Sequence, residues 1–116
     1  LKKITTLKVG DKEYQLMFTM RALAAVEQDI GESLLFILGN PLNAVRKLTI
    51  SVVAAGIRHG LVDGKDKDPY DVLDEIIENG GSIDETAAVI LQAWRDSGLF
   101  TKPVTESKKA PETGNR

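Results

Sequence analysis

The spacing of apolar residues changes period near residue 19. Before it, Leu7 and Val9 alternate with Thr6 and Lys8, and Tyr14, Leu16 and Phe18 alternate with Gln15 and Met17 beyond Gly10-Asp11. Period two on both sides of a Gly-Asp turn predicts a β-hairpin over residues 4–18. A lone hairpin is marginal, so it is expected to lie as a lid on a helical core or to pair at its edge with another chain.

From Thr19 the period is helical. Met20, Leu23, Val26 and Ile30 share one face, Thr19 suits an N-cap, and Gly31 suits the left-handed stop, which predicts a helix over 20–30. Glu32-Ser33 restarts a short, almost wholly apolar helix over 33–38, which must be buried in the domain or against a partner. Asn40-Pro41 opens the most apolar stretch. Val45, Leu48, Thr49, Val52 and Gly56 form one stripe, and Leu42, Ile50, Val53 and Ile57 a second beside it. Two stripes predict a central helix over 41–58, covered on more than one side.

A polar loop over 61–67 follows. Asp68-Pro69 starts a helix over 69–78 with Tyr70, Leu73 and Ile77, flanked by Val72 and Ile76, toward the core. Asn79-Gly80-Gly81 breaks the chain, and Ser82 with Glu85 forms a capping box for a helix over 83–97. Ile83, Ala87, Ile90, Leu91 and Trp94 give that helix the cleanest apolar face in the chain. Residues 101–116 are polar save Val104 and read as a disordered tail. The predicted architecture is mainly α with a short N-terminal hairpin, an α+β arrangement. Four to five helices surround residues 41–58 in a single domain spanning 1–100.

Composition narrows the function classes. With 116 residues, one small core is expected, and aromatics at 5% make that core aliphatic. A net charge of −2 does not draw the molecule to a phosphate backbone. Arg46, Lys47 and Arg58 interrupt the most apolar stretch, so no membrane span is expected. The absence of cysteine excludes disulfides and thiolate sites and fits an intracellular protein. The chain begins with Leu rather than Met, so its natural start is expected further upstream.

Each candidate for chemistry weakens on inspection. Asp63, Asp66, Asp68 and Asp71 invite a calcium loop, but Lys65 and Lys67 fall on ligand positions in one register and Tyr70 in the other. His59 is the only histidine, without cysteine to complete a zinc site, and no motif frames Ser33, Ser51, Ser82 or Ser97 as a nucleophile beside it. It reads as a helix-end residue. The helices over 68–78 and 82–97 mimic a helix-turn-helix, yet the second would offer Asp84 and Glu85 to DNA, and its only arginine is Arg95 near the far end. Trp94 reads as core. No enzyme, metal or cofactor is predicted.

The segment from Met20 to Leu38, MRALAAVEQDIGESLLFIL, is the most distinctive in the chain. With the hairpin before it and the helices after it, it resembles the tail assembly chaperones of long-tailed bacteriophages. The small tail proteins of prophages and gene-transfer agents are also similar. Ala22, Leu23, Glu27, Gly31, Ser33 and Leu34 carry the resemblance, which extends over about residues 7–100. It implies a non-enzymatic protein of the bacterial cytoplasm that binds the tape-measure protein and tail-tube subunits and self-associates. The expected partner-binding residues are Leu34 and Leu35 of the short apolar helix and Leu99 and Phe100 beyond the last one. Two alternatives are a structural tail or head–tail component retained in the virion and a small helix-turn-helix regulator.

Overall fold

In the computed structural model, which describes residues 3–64 and 66–100, the N-terminal alternation builds the expected hairpin. Strands β1 (Ile4–Val9) and β2 (Lys12–Met17) are antiparallel, with Leu7 opposite Tyr14 and Thr5 opposite Leu16. Gly10 turns the corner at φ 63°, a conformation that suits glycine. Leu7, Val9 and Leu16 are buried, so the inner face is a lid on the helices. The other edge of β2 is partly covered as well. Leu61 bridges Leu16, and the Val62 N–H donates to the Gln15 carbonyl at 2.9 Å. The stretch expected as a polar loop from residue 61 therefore begins with a buried, strand-like residue.

Side-chain caps set most helix boundaries. Helix α1 (Met20–Ile30) starts where Thr19 Oγ1 accepts from the Ala22 N–H and stops at Gly31, φ 68°. Helix α2 (Leu34–Leu38) starts at Ser33, whose hydroxyl accepts from the Phe36 N–H. The Glu27 carboxylate also accepts from the Leu34 N–H at 2.8 Å and so ties α1 to α2. Asn40 caps α3 (Pro41–Lys47), Asp68 caps α5 (Pro69–Glu78) and Ser82 caps α6 (Ile83–Arg95).

The single helix expected over 41–58 is two. Helix α3 ends at Lys47, Leu48 leaves helical geometry at ψ 79°, and α4 (Ile50–Gly60) begins with Thr49 as its N-cap. A threonine hydroxyl competes for backbone N–H groups, and here Thr49 Oγ1 accepts from Val52. The second half keeps its predicted role. Val52 to Ile57 are all buried, and α4 is flanked by α1, α5, α6 and β2. The first half does not, since Leu42 and Val45 are 55% and 77% exposed, and Ile50 at the very start of α4 is 58% exposed as well. Thr49→Ala is expected to cost about 1 kcal/mol through loss of the cap. Urea unfolding would measure it, and an unchanged midpoint would mean that Thr49 does not set this boundary.

One core joins these elements. Trp94 is fully buried and meets the Phe18 ring edge-on at 6.1 Å between centroids. Val72, Leu73 and Ile76 of α5 point inward, but Tyr70 and Ile77, expected in the core, are about half exposed, as is Met20 of α1. Periodicity gave these residues an apolar face wider than the surface available to cover it. The tail expected over 101–116 lies outside the described residues.

Candidate interaction surface

Exposed apolar side chains concentrate on α2, α3 and the start of α4. Leu35 and Phe36 on α2, Leu42 and Val45 on α3, and Ile50 on α4 are each about half exposed or more. Leu42, Val45 and Arg46 stand at i, i+3 and i+4, so they share the outward face of α3, while Ala44 is buried. The Asn43 amide donates to the Phe36 carbonyl at 3.2 Å, which holds α3 beside α2. A cleft of about 410 Å³ adjoins this region, with Asp29, Ile37, Arg46, Lys47 and Thr49 among its walls. Exposed apolar side chains gathered beside charged residues mark a protein-contact site more often than a catalytic one.

The four residues expected to bind a partner separate. Leu34 has no exposure and belongs to the core, because a helix that rests on its neighbours must turn part of its girth inward. Leu35, one position on, is 52% exposed. Leu99 is half-buried against the core, and Phe100 is 39% exposed on a different part of the chain. Leu42, Val45 and Ile50, whose apolar spacing predicts a buried helix, are exposed beside Leu35 on the same part of the chain.

The polar clusters are structural in character. Asp29 Oδ2 bonds His59 Nε2 at 2.8 Å and Arg58 Nη1 at 3.1 Å, which ties α1 to the end of α4. The His59 and Arg58 contacts hold the Asp29 carboxyl below its ordinary range. Ser51 and His59 lie eight residues apart on one helix, about 12 Å of rise, so they cannot share a proton directly. Ser33 and Ser82 are spent on caps, and Ser97 donates to the Trp94 carbonyl. Among the described residues no group of His, Cys, Asp and Glu is placed to hold a metal ion. Asp84 and Glu85 stand exposed in the first turn of α6, where a DNA-reading helix would need donors or cations.

Glu75 joins α5 to the hairpin. It pairs with the Lys12 ammonium and accepts from the Tyr14 hydroxyl at 2.7 Å. Lys12 first, then Tyr14, holds its carboxyl below the ordinary value of 4.5. The unfolded chain thus binds more protons in this range. The stabilisation is complete above the unfolded value and is lost as pH falls through the lower folded one. Glu75→Gln is therefore expected to unfold more easily at neutral pH and to show a shallower loss of stability on acidification below about pH 5. Melting temperatures across that range test this, and parallel wild-type and variant curves would contradict it.

Among the described residues no helix is long and apolar enough to cross a membrane. Compared with protein-family models, the chain matches the one described as phage tail tube protein, GTA-gp10, over residues 4–96. Neither the curated proteins nor the solved structures contain a match.

Proposed function

Because the chain belongs to the family of the phage tail tube protein, GTA-gp10, we propose that it is a structural component of a phage-type tail, working by contact with other tail proteins and not by catalysis. The observation that carries this reading is the extent of the family match. It takes in both strands and all six helices of the described residues. The exposed apolar surface on α2 and α3 supports it, since a subunit built into a larger body needs side chains that become buried only on assembly.

The tail assembly chaperone is the second reading. The same surface favours it: half-exposed Leu35, Phe36, Leu42, Val45 and Ile50 would suit an apolar helical client such as a tape-measure protein. Either protein would act in the host cytoplasm while tails are being built. The two readings differ in where the protein ends up. Particles are purified by density gradient and their protein content is quantified by mass spectrometry beside the lysate. Presence at many copies per particle supports the structural component. Absence from particles, with co-purification of the tape-measure protein from the lysate, supports the chaperone and overturns the first reading.

A further inference from the structure

A second exposed apolar face lies on α5. Tyr70, Asp74 and Ile77 occupy i, i+4 and i+7, so they line one outward stripe, with Asp71 and Glu78 beside it. Tyr70 and Ile77 are 45% and 49% exposed. Helix α5 carries four carboxylates and no basic residue, and only Glu75 has an ion-pair partner among the described residues. Glu78 also sits in the last turn, where the helix dipole disfavours a negative charge. Helix α3 is the converse, with Arg46 and Lys47 and no acid. Among the described residues Arg46 has no ion-pair partner, while Lys47 is held by Glu32 at 3.2 Å.

The two faces lie on different parts of the molecule, because α3 rests on α2 while α5 rests on α4 and β1. Each sets two exposed apolar side chains beside charge of one sign, Arg46 with Leu42 and Val45 on α3, and Asp74 and Glu78 with Tyr70 and Ile77 on α5. We propose that the α2–α3 face of one copy receives the α5 face of the next, in a head-to-tail contact between copies of this chain. Leu42 and Val45 meet Tyr70 and Ile77, and Arg46 meets Asp74 and Glu78. Such a contact joins unlike surfaces, so it repeats, and it closes into a ring or continues as a filament. A facing pair of identical α3 surfaces would bring Arg46 and Lys47 against their own kind. The inference deepens the structural-component reading, because it names the surface by which tail subunits would stack. Its test does not depend on whether the protein is found in particles.

The test uses two charge reversals at exposed positions of the full chain, R46E/K47E and D74K/E78K. Each is examined alone and mixed, by sedimentation velocity at millimolar concentration in low-salt buffer, where charge contacts are least screened. Wild type is expected to self-associate, and each variant alone to weaken this at least about tenfold, since like charges are then opposed. The equimolar mixture is expected to associate again, because each reversed face meets a reversed partner and each intact face an intact one. Misfolded variants could not give that rescue. A monomeric wild type, association of D74K/E78K as strong as wild type, or a mixture that stays monomeric would each overturn the proposal.

Discussion

Trp94→Ala is expected to cost about 3–5 kcal/mol, the range for removing a fully buried large aromatic side chain. A domain of this size has about 5–15 kcal/mol in total, so the variant should melt at least roughly 15 °C lower or fail to fold at physiological temperature. The indole lies under α4, its Cζ2 facing Gly56, and it supports the buried Phe18 ring edge-on. Trp94→Phe separates ring from hydrogen bond. Trp94 Nε1 is buried and has no hydrogen-bond partner among the described residues, so phenylalanine removes no bond seen there and keeps much of the aromatic contact. The expected order is wild type, then Trp94→Phe, then Trp94→Ala well below. Thermal unfolding measures it, and an alanine variant within a few degrees of wild type would mean that Trp94 does not hold this core.

The second large effect concerns Gly60, and two forces oppose each other there. Alanine is the better helix former by about 1 kcal/mol, so propensity alone predicts that Gly60→Ala stabilises α4. Packing predicts the reverse. A Cβ at residue 60 would stand 2.5 Å from Phe18 Cζ and within 3.0 Å of two further ring atoms. The ring is buried and held against Trp94, so it has little room to yield. Overpacking of this kind costs about 1–3 kcal/mol, and the net effect is expected to be destabilising. Combining Gly60→Ala with Phe18→Leu makes the test specific. The smaller side chain frees the space, so the two costs should fall short of adding. Strict additivity would show that residue 60 and the ring do not share that space.

Local signals in the sequence were strong wherever chemistry acts over a few residues. The hairpin, the Thr19, Ser33, Asn40, Asp68 and Ser82 caps and the Gly31 stop all follow from side chains bonding nearby backbone. They could be read without knowing the fold. Thr49 carries the same signal, but it lies inside an apolar run whose period continues across it. Burial was harder to foresee. Periodicity tells which residues share a face, yet only tertiary packing decides whether another element covers it. Val45 and Val53 look alike in the sequence, but one is 77% exposed and the other has no exposure. The interaction surface was illegible for that reason. Leu34 and Leu35 are adjacent leucines, and only the placement of α2 on its neighbours distinguishes core from contact. Leu61, by contrast, gave no local sign that it would join β2.

The Phe18–Gly60–Trp94 contact also sets an order of events during synthesis. The hairpin leaves the ribosome before the six helices described here, yet it is among the last elements to gain cover. Leu7 shares its surroundings with Ile76 and Val89, and Phe18 waits for Trp94 near the end of the described chain. Helices form locally and early, so the slow step is the return of α5 and α6 to the N-terminal strands. Until then a nascent chain carries an open strand edge and exposed Leu7, Val9 and Phe18, the features that invite misassociation. A gene truncated before α6 would therefore yield an aggregation-prone polypeptide rather than a smaller working protein.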